Sequence, residues 1–180
     1  MKTNFLYGLG MAIAGLVIAL LLNVLGFHAN AEKLPTGQMI GMVLGIIVTI
    51  GGLILAIRAR REDTPVHEEF GYGRALGAGT LTALVSSFFG SLFNVLYMTV
   101  INPGLQDIIV EGEIAKMEER GMTSAQIEQA EGMVRMMTGP VASGIMGFIM
   151  AFIVSFIICL IISAFLKRPA VDELPPAMAS

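Results

Sequence analysis

Four stretches of this chain contain no Asp, Glu, Lys, Arg or His: residues 5–27, 38–57, 75–101 and 141–166. At a helical rise of about 1.5 Å per residue, each is long enough to cross a hydrocarbon layer of about 30 Å. Within lipid only helices and closed barrels satisfy their own backbone hydrogen bonds, so uninterrupted apolar runs of this length predict four transmembrane helices. Composition points the same way. The chain is 55% hydrophobic and 14% charged, with a mean hydropathy of +0.78, whereas a soluble domain carries about 25% charged residues. The expected fold is all-α: a four-transmembrane-helix bundle in one domain, residues 1–168, with the bilayer as its solvent.

The first run has a competing reading. Lys2 supplies a basic start and Ala29-Asn30-Ala31 has the small-x-small form of a signal-peptidase site. A signal peptide's apolar core is about 7–15 residues, shorter than this run, so a retained first span is expected. Pro35-Thr36-Gly37 reads as a turn before the second span, which is expected to end where Arg58-Ala59-Arg60-Arg61 begins. Phe70 and Tyr72, in the next short loop, are expected at the headgroup level. The third run is long enough to tilt or to project from the bilayer. Lys167-Arg168 closes the fourth, and the proline-bearing tail, 169–180, is expected to be disordered.

Basic residues set the expected orientation. Lys2, Arg58, Arg60, Arg61, Arg74, Lys167 and Arg168 fall on one side of such a bundle, against Lys33, Lys116, Arg120 and Arg135 on the other. The richer side is cytoplasmic by the positive-inside rule, which places both termini in the cytoplasm. Residues 102–140, the one sizeable polar stretch, then stand outside it. Their punctuation predicts a helical hairpin. One helix runs from Pro103-Gly104 to a C-terminal cap at Gly121, and a second opens at Thr123 with Gln126 three residues on, a capping box. Glu131 and Arg135 stand one helical turn apart, spaced for an ion pair.

The hairpin holds Met117, Met122, Met133, Met136 and Met137. Their thioethers suit helix packing, an adaptable partner surface, or Cu(I), though no Cys or His accompanies them for metal binding. Within the spans, small residues recur at every fourth position. They are Gly37, Gly41 and Gly45, then Gly79, Ala83, Ser87 and Ser91, and finally Ser143, Gly147, Ala151, Ser155, Cys159 and Ser163. Such ridges let helix backbones approach closely, within one bundle or between proteins. Asn23 and Asn94 are the most polar groups in the spans and are expected to bond to neighbouring helices. The pattern Phe5-x-Tyr7-Gly8 ending at Asn23, echoed by Phe70-x-Tyr72-Gly73 ending at Asn94, suggests an internal repeat of two hairpins.

Several segments together resemble a known family. Phe70-Gly71-Tyr72-Gly73-Arg74-Ala75-Leu76, the turn Glu118-Glu119-Arg120-Gly121-Met122-Thr123-Ser124-Ala125-Gln126-Ile127-Glu128, the Met136-Met137 pair and Lys167-Arg168 are similar to bacterial membrane proteins grouped as domain of unknown function 4199. The resemblance covers nearly all of the chain up to Arg168. It implies a four-helix inner-membrane protein and brings no activity, substrate or catalytic residue.

A net charge of −3 and a pI near 5.3 exclude a basic nucleic-acid surface. His28 and His67 are expected on opposite sides of the membrane, and no catalytic, cofactor or metal motif is present in the sequence. The expected function is a non-enzymatic structural or partner-binding component of the bacterial inner membrane, touching lipid and either itself or another membrane protein. The alternative is a small-solute transporter or channel, alone or as an oligomer.

Overall fold

The structure, a computed structural model, describes residues 2–170. Of the tail expected to be disordered, all but Pro169 and Ala170 lies outside these residues. Six α-helices follow in order: α1 Lys2–Val24, α2 Leu34–Glu62, α3 Tyr72–Leu96, α4 Leu105–Glu119, α5 Ser124–Thr138 and α6 Pro140–Leu166. A π-helical turn, Tyr97–Ile101, prolongs α3. α1, α2, α3 with its π-turn, and α6 are each long and apolar enough to cross a membrane, as a multi-pass membrane protein requires.

Helix ends depart from the sequence expectations for local reasons. α1 stops at Val24 rather than Phe27 because Gly26 takes a left-handed conformation, φ +79°, that turns the chain. Pro35 does not make a turn; it sits in the first turn of α2, where its missing N–H costs no hydrogen bond. α2 also continues through the basic cluster to Glu62. Arg60 and Arg61 thus occupy its last turn, where cations face the partial negative charge of the free carbonyls. The hairpin forms as its punctuation predicts. Gly121, φ +75°, follows α4, and at α5 the Thr123 hydroxyl accepts from the Gln126 amide while Gln126 Oε1 accepts from the Thr123 amide at 2.9 Å.

α3 is the central helix, packed between α1 and α6, while α2 packs on α1 and also meets α3 and α6. One end of the bundle, the basic end, gathers the start of α1, the end of α2, the start of α3 and the end of α6. Its apolar cluster joins Met11, Leu53, Ile57, Phe70, Ala75, Ala83, Cys159 and Leu166. The other end, the hairpin end, has a second cluster of Leu34, Tyr97, Met98 and Leu105, with Ile108 and Ile109 of α4 packed against it. α5 lies on α4, held by Arg135, whose guanidinium donates to Asp107 at 2.7 Å and to Glu131 at 3.0 Å. All three groups are solvated, so the pairs set orientation more than they add stability.

At the basic end Phe70 is 1% exposed, packed inside the apolar cluster. Its amide donates to the Arg168 carbonyl at 2.9 Å and its carbonyl accepts from the Arg168 amide at 2.8 Å. Arg168 then turns its guanidinium onto the carbonyls of Thr64, at 2.9 Å, and Pro65, at 3.0 Å. The chain leaving α6 therefore fastens the loop between α2 and α3. The two halves of the suggested repeat differ in their surroundings at the matched positions. Phe5 is 44% exposed where Phe70 is buried, and a Cβ at Gly8 would crowd Thr82 and Val85 where one at Gly73 would meet open space.

Candidate functional site: a hydroxyl-lined cavity between the spans

The ridges of small residues close some helix seams and leave one open. A Cβ added at Gly79 would strike Cys159 Sγ and stand 3.0 Å from Ile57 Cδ1. One at Gly144 would stand 2.7 Å from Val95 Cγ2, so α3 and α6 are in contact near both ends. α2 meets α1 at Gly41 and Gly52, against Leu22 and Met11, and the turn after α1 at Gly37, against Phe27. Added Cβ atoms at Gly45 of α2 and Gly147 of α6 meet nothing within 4 Å. Both residues line a cavity of about 290 Å³ that all four spans enclose, and it reaches the surface at Gly147 and Ala151, which are exposed.

The wall of this cavity is mixed. Met11, Leu16, Val48 and Phe93 supply apolar surface; Thr49, Ser86, Ser87, Ser91, Asn94, Tyr97 and Ser155 supply hydroxyls, an amide and a phenol. Most of these polar groups already have partners. Thr49 donates to the Gly45 carbonyl at 2.8 Å, Ser91 to the Gly144 carbonyl at 2.8 Å, and Asn94 Nδ2 to Ser143 Oγ at 3.3 Å. Ser87 is 4% exposed, and its hydroxyl is fully buried without one. The lining includes no carboxylate, imidazole, ammonium or guanidinium. Such a wall suits a neutral occupant held by packing and a few hydrogen bonds, because a charge there would be desolvated without compensation.

Each end of the cavity is sealed. Toward the basic end lie Leu53, Ile57, Ala83 and Cys159, all 0% exposed. Toward the hairpin end Tyr97, 3% exposed, shares a 2.6 Å hydrogen bond between its hydroxyl and His28 Nδ1. Asn102, just past the π-turn, donates to Asn23 Oδ1 at 3.2 Å and to the His28 carbonyl at 3.3 Å. The chain between α1 and α2 is thereby latched to the end of the third span. Burial holds the His28 imidazole below its ordinary pKa of 6.5.

The residues singled out in the sequence separate into different roles. Asn94 lines the cavity, and Asn23 belongs to the latch rather than to a helix–helix contact. Of the α6 ridge, Ser155, Cys159 and Ser163 are buried. Ser143 donates to the Pro140 carbonyl at 3.1 Å. Gly147 and Ala151 form the cavity's open edge. Met117 and Met122 are half-buried in the hairpin, while Met133, Met136 and Met137 form an exposed face on α5. No group of three His, Cys, Asp or Glu side chains placed to hold a metal ion exists among the described residues. The latch escaped sequence reasoning because a π-turn has no local signature. Asn23 and His28 were the available signals.

The family described as "Protein of unknown function (DUF4199)" matches the chain over residues 6–168, and the chain belongs to that family. No curated protein and no solved structure matches it.

Proposed function

We propose that this DUF4199 member is a non-enzymatic component of a bacterial inner membrane that holds a second membrane protein. Its termini lie in the cytoplasm and its hairpin outside, as the seven basic residues of the basic end against four elsewhere support. The observation that carries the reading is the open seam between α2 and α6. Gly45, Gly147 and Ala151 leave room there for another helix to approach, and the rim is apolar, with Ile46, Ile47, Met146 and Met150 exposed. A transmembrane helix with one large apolar side chain is the occupant this groove suits. In lipid, helices associate by such close packing because there is no water to expel. The exposed Met133, Met136 and Met137 of α5 offer the same partner an adaptable surface beyond the bilayer.

A photo-crosslinking residue placed at Gly147 or Met136 in native membranes is expected to yield the same discrete adduct. Placed at Val17, which is also exposed but outside the cavity lining, it is expected to yield none. Filling the groove with Ala151→Leu should remove the adduct at Gly147. A mixture of two tagged copies would reveal whether the partner is a second copy of this chain. Equal labelling from all three positions would contradict the proposal.

The hydroxyl-lined wall supports a second reading, a carrier of a small neutral solute, alone or as an oligomer. Solute flux in proteoliposomes that Asn94→Leu abolishes would favour that reading over the first.

A further inference from the structure

A second cleft, of about 560 Å³, opens at the basic end between α1, α2, α3 and the loop that Arg168 fastens. Its mouth carries Arg60, Asp63, Glu68 and Arg74, two positive and two negative groups. Glu68 and Arg74 neutralise each other at 2.7 Å. Arg60 and Asp63 have no ion-pair partner among the described residues; Asp63 accepts only from the Thr3 hydroxyl, at 3.1 Å. Below the mouth the lining turns to Gly77, Ala78 and Leu81. From Arg74 to Leu81 the helix rises about 10 Å, so the cleft passes from the level of headgroups into the hydrocarbon.

We propose that this cleft binds one phospholipid with a zwitterionic phosphoethanolamine head, Arg60 taking the phosphate and Asp63 the ammonium. Four features support the assignment. The unpaired charges form a +/− pair, matching a head that carries both signs; a purely anionic head would bring its phosphate against Asp63 uncompensated. Beside the cleft, Asn4 is 4% exposed and gives its amide N–H to the Ala78 carbonyl at 2.9 Å, which leaves its Oδ1 without a donor. The floor is shaped by a missing side chain, since a Cβ at Gly77 would meet nothing within 4 Å. The Arg168 clamp holds Thr64 and Pro65 in the cleft wall at 2.9 and 3.0 Å, so the site is organised before any lipid arrives.

The test is native mass spectrometry of the detergent-solubilised protein with equimolar phosphatidylethanolamine and phosphatidylglycerol of matched chains. A preference of roughly tenfold for the phosphatidylethanolamine adduct is expected, the scale of one well-placed charge interaction. Asp63→Asn should erase the preference, while Arg60→Gln should weaken retention of both lipids, which share the phosphate. Gly77→Leu, whose Cβ meets open space, should remove the retained lipid while leaving the melting temperature of the delipidated protein unchanged. Soluble O-phosphoethanolamine should fail to displace the lipid. Equal retention of both lipids, a preference untouched by Asp63→Asn, retention untouched by Arg60→Gln, or displacement by the soluble head would overturn the proposal.

Discussion

Gly79→Leu is expected to disrupt the bundle, whereas Gly10→Leu is expected to leave it intact. The two glycines lie in spans of similar composition and differ in what surrounds them. A Cβ at Gly79 would run into Cys159 Sγ and Ile57 Cδ1, while one at Gly10 would meet nothing within 4 Å. Cys159 and Ile57 are both 0% exposed, so neither can swing aside into lipid. Overpacking a core costs about 1–3 kcal/mol for small insertions, and leucine brings four carbons into a space that refuses the first. The expected loss is at least about 3 kcal/mol, or roughly 6–12 °C in melting temperature for a chain of this size. Fluorescence-detected size exclusion after heating in detergent would register it. Equal melting of the two variants would mean that α3 and α6 are not in contact at this point.

Tyr97→Ala should have a comparable effect, confined to the hairpin end. The ring is 3% exposed, and deleting a buried aromatic side chain costs about 3–5 kcal/mol. The lost hydroxyl also removes the 2.6 Å bond to His28. Tyr97→Phe, which keeps the ring, should cost only about 1–3 kcal/mol. A cysteine substituted at Ser91 in the cavity wall should become reactive to a water-soluble maleimide in the Ala variant and stay protected in the Phe variant.

The latch should also weaken in acid. Burial lowers the pKa of His28 in the folded protein below its ordinary value of 6.5, so the fold favours the neutral ring. The unfolded chain therefore takes up the proton at higher pH. The stabilisation is complete above about pH 6.5 and is lost as pH falls below it. Melting temperature should fall between about pH 7 and about pH 5, and His28→Gln should flatten that part of the profile. A profile identical in the variant would remove His28 from the latch.

Sequence patterns revealed the spans and the hairpin because each has a local cause. Uncharged runs must become helices in lipid, and Thr123 with Gln126 caps the helix that follows them. Helix ends were harder, since one residue type serves two purposes. Pro35 can break a helix or begin one, and Arg58, Arg60 and Arg61 can mark a membrane border while still being helical. The Phe70–Arg168 pairing joins residues far apart in the chain, and no spacing rule reaches that distance.

The cavity was the least legible feature. Gly79 and Gly147 both sit in ridges of small residues at four-residue spacing, yet one is closed by a neighbour and the other borders empty space. Which small residues a bundle consumes depends on how its helices cross, and that is a property of all four together. Ser87, the buried hydroxyl left without a partner, looks in sequence like any other small residue of its ridge.

The arrangement of the whole chain rests on α4 and α5 projecting from the membrane face opposite the α2–α3 loop. The most direct measurement is labelling of cysteines at Glu119 and Glu69 with a membrane-impermeant maleimide, the native Cys159 being buried. The predicted result is that Glu119→Cys reacts once the outer barrier alone is breached, and Glu69→Cys only after the inner membrane is permeabilised. Reaction of both positions from the same side would contradict a four-span bundle with its hairpin outside.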